Sequence, residues 1–240
     1  MPSVGVIKPS NRPGKAEELM AMLPSSVTLE HAALGIATGS PQELREAIGK
    51  YDQKIAEMAA LGVDLVHAAG IPPLLLGYEG ERELVRGWER KFGKPVFTNG
   101  QSQVNALRAL GAKRIVGASY FPGAINKTFG AYMTQAGFDV LTMEGMEVEF
   151  QQVPKVAPEV VRAFIRSLFA RYKDVDAIYL LGPAWRTLEI LESMEEEFGV
   201  PIVHHIPAQS WEIQNRFGLT QNFSGYGRLI GQMPSGIRSL

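Results

Sequence analysis

The sequence predicts an α/β fold of two similar lobes, each with a parallel sheet, and three observations predict it. Short apolar runs alternate with helix-periodic segments along the whole chain, the pattern of strands joined by crossover helices. Two runs, from Asp64 to Pro73 and from Asp176 to Trp185, share an acidic start, a short apolar centre and a Gly/Pro break, as a buried parallel strand reads when it reaches a loop. Gly93-Lys-Pro-Val-Phe97 and Gly199-Val-Pro-Ile-Val203 each follow a charged helix, so the pattern runs once and begins again.

In order, Val4–Ile7 reads as a strand, and the turn-rich loop from Lys8 to Gly14 leads into a helix at about Lys15–Leu23. A strand over Val27–Leu34 precedes a helix signalled by Ser40 as N-cap, Pro41 in the first turn and Glu43 completing a capping box. That helix carries Leu44, Ile48, Ile55 and Met58 at near-helical spacing and stops at Gly62. Strand Leu65–Ala69, helix Gly80–Phe92, strand Pro95–Phe97 and helix Ser102–Leu110 complete the first half. The second half repeats it: strand Arg114–Ala118, helix Asn126–Ala136, strand Phe138–Met143, helix Pro158–Tyr172, strand Ala177–Leu181, helix Thr187–Phe198 and strand Pro201–Val203. A last helix is expected over about Ala208–Phe217.

With 240 residues, 45% hydrophobic and 20% charged, the chain has ample core for one or two domains, which argues against disorder. A net charge of −1 with scattered Lys and Arg leaves no footprint for nucleic acid or an anionic membrane. No apolar run approaches the roughly 20 residues that span a bilayer, so the expectation is a cytoplasmic protein. Zero cysteines exclude disulfides, thiolate metal sites and thiol nucleophiles together. No phosphate-binding Gly loop and no GxSxG elbow occurs in a strand-turn-helix setting.

Several stretches carry a family resemblance. Gly93-Lys-Pro-Val96, Val104–Gly111, Asp176-Ala-Ile178, Gly199–Val203 with Pro207-Ala208, and Gly225-Tyr-Gly-Arg-Leu229 resemble arylmalonate decarboxylase. Pro9-Ser10-Asn11 and Ser119-Tyr120 resemble maleate cis-trans isomerase, and both groups belong to the aspartate/glutamate racemase superfamily. The resemblance spans nearly the whole chain in matching order. It implies an α/β fold with two pseudo-symmetric lobes, each a parallel four-stranded, flavodoxin-like sheet flanked by helices, and a cofactor-free active-site cleft between them. Residues 1–98 with about 208–240 would form the N-terminal lobe and 99–207 the C-terminal lobe.

By the same resemblance, racemases and isomerases of this group use one Cys from each lobe, and the decarboxylase keeps the second. Here Gly70-Ile71-Pro72 and Leu181-Gly182-Pro183-Ala184 stand at those strand ends, so both thiol positions are Gly. Two-base racemisation needs a proton donor or acceptor on each face of the carbon, and glycine supplies neither.

The remaining candidates divide by chemistry. Tyr120 matches the family's active-site Tyr and could donate to a developing oxyanion, or simply pack at the lobe interface. Ser10 and Asn11 match the isomerase loop and could hold a carboxylate; a plain turn beside Pro13-Gly14 explains them as well. Ser119, Ile71, Gly182, Pro183 and Ala184 complete the expected substrate-binding set with Gly70. His204 and His205 follow a strand whose neighbours alternate in direction, so one of them should face the cleft and move a proton. The same alternation makes a metal site improbable. His67 reads as a core histidine, and His31 has no stronger claim. Glu79, Glu144–Glu149, Trp185 and Trp211 are explained by helix lead-in, solvated face and core packing, although the two Trp could also wall an aryl substrate.

The reading is a cofactor-free, decarboxylase- or lyase-like enzyme on a small organic acid or related carbonyl compound, with Tyr120, His205 and His204 as non-thiol acid–base groups and no metal. Its expected partner is a small carboxylate, without nucleic acid or membrane, and with homo-oligomerisation left open. The alternatives are a degenerate small-acid binding protein, or a hydrolase or hydratase with a His-activated water.

Overall fold

The computed structural model describes residues 1–10, 15–37, 40–149, 151–182 and 184–236. Strands β1 (Ser3–Lys8), β2 (Thr28–Ala33), β3 (Leu65–Ala68) and β4 (Val96–Thr98) form one parallel sheet in the order β2-β1-β3-β4. Strands β5 (Arg114–Ser119), β6 (Asp139–Gly145), β7 (Ala177–Leu181) and β8 (Ile202–His204) form a second parallel sheet in the same order, β6-β5-β7-β8. The α/β fold with two four-stranded parallel sheets is the one expected. Every residue of β3 and β7 is buried, as strands covered on both faces must be. Edge strand β2 is largely exposed.

The two halves share hydrogen bonds as well as strand order. Asp64 accepts from the Ser3 amide at 2.9 Å and its hydroxyl at 2.8 Å, tying the start of β3 to the start of β1. Asp176 accepts from the Lys113 and Arg114 amides at 2.9 and 2.8 Å, tying β7 to β5 in the same way. Glu89 and Glu195 sit four residues before the helix-ending Gly93 and Gly199, and accept from the amides of Val96 (3.1 Å) and Ile202 (2.6 Å). Both glycines adopt left-handed φ, 64° and 73°, which closes the helix at no Cβ cost. The repeated Gly-x-Pro signal is thus a helix cap followed by a strand whose first amide is held by the helix just ended.

The helices are α1 (Lys15–Met20), α2 (Pro41–Ala60), α3 (Gly77–Phe92), α4 (Asn99–Ala109), α5 (Gly123–Gln135), α6 (Pro158–Phe169), α7 (Leu191–Phe198), α8 (His205–Arg216) and α9 (Arg228–Gln232). Ser40 caps α2, accepting from the Glu43 amide at 3.2 Å. Helices α4 and α8 start three residues earlier than the sequence pattern suggests, because the last strand residue is itself the cap. Thr98 accepts from the Gln101 amide at 3.2 Å, and the His204 ring Nδ1 accepts from the Ile206 amide at 3.2 Å. Pro207 then falls within the first turn of α8, where its missing N–H is harmless. The segment read as one helix from Thr187 is a 3-10 turn (Leu188–Ile190) followed by α7, and α9 carries no periodic signal in the sequence.

The two sheets are joined by α4 packed on α8 and by α3 packed on α5. At the second joint the Tyr132 hydroxyl donates to the buried Glu81 carboxylate. A Cβ on Gly100 would lie 2.4 Å from the Tyr132 oxygen and 2.7 Å from Glu81, so only glycine lets α4 pass. Among the described residues, no helix is long and apolar enough to cross a membrane.

Candidate active site

A cavity of about 130 Å³ opens where the carboxyl ends of β1, β3, β5 and β7 meet the first turns of α4 and α8. Strand ends of both sheets therefore converge on one hollow, the place where α/β folds bind ligands. Most of its lining is apolar. The polar side chains among the described lining residues are Lys8, Ser10, His31, Asn99, Tyr120, His205 and Gln209, with no carboxylate.

The structure brings together six of the sequence candidates in this wall: Ser10, Gly70, Ile71, Tyr120, Ala184 and His205. Three others do not line it. Ser119 is buried, donating to Asn126 Oδ1 at 2.6 Å and accepting from the Phe121 amide at 2.9 Å, so its hydroxyl shapes the turn that presents Tyr120. His204 is fully buried at the end of β8 and caps α8, which leaves His205 as the member of the pair on the cavity. The two imidazoles lie 4.4 Å apart. Gly182 is buried beneath Trp185. Asn11 and Pro183 lie outside the described residues.

Tyr120 is 3% exposed, packed edge-on against Trp185 at 5.6 Å and against Phe121 at 4.4 Å. Across the cavity lining, the Gly70 amide donates to Asn99 Oδ1 at 2.6 Å and is therefore already used. The next amide, that of Ile71, has no acceptor among the described residues and is the backbone donor left on this turn. Helix α8 directs its N-terminal turn, with His205 and Ile206, to the cavity, placing the positive end of its dipole there.

Gly70 and Gly182, at the two strand ends, are both closed to a side chain. Gly70 has φ 114°, a conformation that L side chains rarely adopt, and a Cβ there would sit 2.4 Å from Pro9 Cγ. A Cβ on Gly182 would sit 2.1 Å from Cε3 of Trp185, whose amide turns back to the Gly182 carbonyl at 2.9 Å. The indole occupies the volume into which a side chain on residue 182 would grow.

Other expectations resolve into structure. His67 is buried and stacked on Phe97 at 4.3 Å; burial pushes its pKa down to about 3, so it stays neutral, and it does not line the cavity. Glu79 pairs with Arg82 at 3.1 Å on the surface, and Glu144 with Arg171 at 2.7 Å. Trp211 donates to the Pro234 carbonyl at 2.8 Å within the core. Among the described residues no group of three or more His, Asp or Glu could hold a metal ion. Sequence reasoning missed Lys8, Asn99 and Gln209, and set His31 aside. Val6 and Lys8 alternate along β1 onto the cavity face, a signal present in the sequence, whereas Asn99 opens a helix expected to start only at Ser102 and Gln209 lies within an expected helix whose facing side the sequence does not mark.

Comparisons with known proteins agree with this fold. The maleate isomerase of Nocardia farcinica is 24% identical over 95% of this chain and 95% of its own. The arylmalonate decarboxylase of Bordetella bronchiseptica is 28% identical over 58% of this chain and 59% of its own. The crystal structure of the maleate isomerase Iso from Pseudomonas putida superposes with a TM-score of 0.87, at 20% identity, over 97% of this chain and 99% of that one. These relatives are enzymes, a decarboxylase and isomerases, in line with the resemblance read from the sequence. The family model described as arylmalonate decarboxylase matches residues 4–230, and the chain belongs to the arylmalonate decarboxylase family.

Proposed function

We propose that the chain is a cysteine-free acid–base enzyme that removes a carboxylate from a small organic acid without a cofactor. The observation that carries this is the cavity itself: among the described residues, Tyr120 and His205 share it with an Ile71 amide that has no acceptor, and no acidic side chain lines it. A wall of donors without carboxylates suits an anion, and the apolar remainder strengthens each electrostatic contact.

In this reading the substrate's C–C bond breaks with the electron pair left on carbon, carbon dioxide departs, and an enediolate forms. The Tyr120 hydroxyl, the Ile71 amide and the α8 N-terminus stabilise its oxygens. His205 in its protonated form returns a proton to the carbon and is recharged from solvent. Ser10 and Asn99 border the bound acid, with Asn99 also fixing the Gly70 turn.

The test is turnover of a panel of aryl- and alkylmalonates and maleate followed by NMR. Tyr120→Phe and His205→Gln should each lower kcat by roughly 100-fold or more, the range expected for a lost oxyanion donor or proton donor. Unchanged substrate across the panel sinks the decarboxylase reading. A second reading, a small-acid binding protein without turnover, has its own support in the closure of both thiol positions by Pro9 and Trp185. Ligand-induced thermal shifts without product favour it; turnover lost in Tyr120→Phe removes it.

A further inference from the structure

The polar lining contains a cation that the proposed chemistry leaves idle. Lys8 ends β1, and its side chain shares the cavity face with Val6 two residues earlier. His31 on the neighbouring strand is in register with Val6 and reaches the same cavity. Around these two basic groups the wall is made by Leu19, Ile36 and Leu44. Among the described residues, the Lys8 ammonium has no hydrogen bond and no ion pair, although eleven such pairs are formed elsewhere in the chain. Burial first, and then Lys8, disfavour the charged form of His31, while Glu30 and Glu17 act on it in the opposite sense. Lys8 is a partly buried residue beside a second basic group, with no carboxylate among the described lining residues, so its charge is available to an anion in the cavity.

We propose that Lys8, bordered by His31, is an anion subsite that holds a carboxylate on the substrate's side chain, remote from the carbon that reacts. The inference rests on the small-acid reading above and sharpens it: the preferred substrate carries a charged side chain where a neutral aryl or alkyl group would leave Lys8 without a partner. Lys8 is then a specificity-determining residue and takes no part in proton transfer.

Carboxymethylmalonate and ethylmalonate test this, since they have the same heavy-atom skeleton apart from a carboxylate in place of a methyl group. Calorimetric titration of the folded protein should show carboxymethylmalonate binding roughly tenfold more tightly, the size of one charge-assisted contact. Lys8→Met, which keeps the apolar stem, should abolish that preference, so that the two acids bind within about twofold of each other; Lys8→Arg should retain it. Circular dichroism on both variants controls for folding. Equal affinity of the wild type for the two acids, or a preference that survives in Lys8→Met, overturns the subsite and leaves the small-acid reading standing. Failure of the wild type to bind either acid overturns the small-acid reading and the subsite with it.

Discussion

Introducing a thiol at residue 182 should destabilise the protein. The Cβ of Gly182→Cys would start 2.1 Å from Trp185 Cε3 and 2.8 and 2.9 Å from two further ring atoms. The ring has nowhere to go. It is 1% exposed, has Tyr120 at 5.6 Å on one side and Phe164 at 6.4 Å on another, and its backbone is held by the turn to the Gly182 carbonyl. Inserting a side-chain atom into such packing costs about 1–3 kcal/mol, which for a chain of this length lowers the melting temperature by roughly 2–12 °C. The clash belongs to the Cβ, so Gly182→Ala should cost about as much as Gly182→Cys. In a Trp185→Ala background, itself destabilised by about 3–5 kcal/mol, the added cost of Gly182→Ala should fall to nearly zero, a coupling that a double-mutant cycle by urea denaturation reads directly. Gly182→Ala within about 0.5 kcal/mol of wild type, or an introduced thiol that reacts freely with a disulfide reagent in the folded protein, would refute the reasoning.

Three further outcomes follow from groups outside the cavity. Burial raises the Glu81 pKa to about 7 while the Tyr132 hydroxyl donates to it. The folded state therefore holds an extra proton on Glu81 between about pH 4.5 and 7, so this group's own contribution to stability is full below that window and declines by roughly 3 kcal/mol across it; in urea titrations the stability difference between wild type and Glu81→Gln should shrink by that amount as pH rises through the window. For His67, held down to about 3 by burial, the unfolded chain binds the extra proton below about pH 6.5, so this group's contribution runs opposite to that of Glu81 and is lost as pH falls towards 3. His67→Phe should reduce that acid loss, and NMR titration should find the wild-type ring neutral at pH 5. Asp64→Ala and Asp176→Ala each remove two hydrogen bonds near the surface and should cost about 1 kcal/mol apiece, additively because they lie in different sheets; strongly non-additive denaturation midpoints would contradict the independence of the two clasps.

Much of the architecture is readable in the chain because strand and helix signals here are local. Asp64 and Asp176, Gly93 and Gly199, and Pro95 and Pro201 punctuate both halves at matching places, and the structure uses each pair in the same way. Helix starts are less readable where one residue serves as both strand end and cap, as Thr98 and His204 do. The cavity divides along the same line. Tyr120, Gly70 and His205 stand at strand breaks and were found, whereas Asn99 lies ahead of the expected start of its helix and Gln209 sits inside a helix whose cavity-facing side the sequence does not mark. The indole over Gly182 is a side-chain placement three residues on, which no spacing rule reveals. The Glu81–Tyr132 contact joins positions 51 residues apart, and only the docking of α3 on α5 brings them together.

The side-chain hydrogen bonds of longest sequence span among the described residues concern order of assembly. Ser210 and Gln214 on α8 both donate to the Met22 carbonyl, the Gln214 contact at 3.2 Å, across 188 and 192 residues of sequence. The carbonyl just beyond α1 therefore waits for a helix made after both sheets. On a ribosome, strands β1 to β4 emerge long before α8, and the cavity wall contributed by His205 and Gln209 emerges with it. A nascent chain stalled before residue 205 would carry every strand of its first sheet and still leave that carbonyl, and the hollow beside it, open to solvent or to a chaperone.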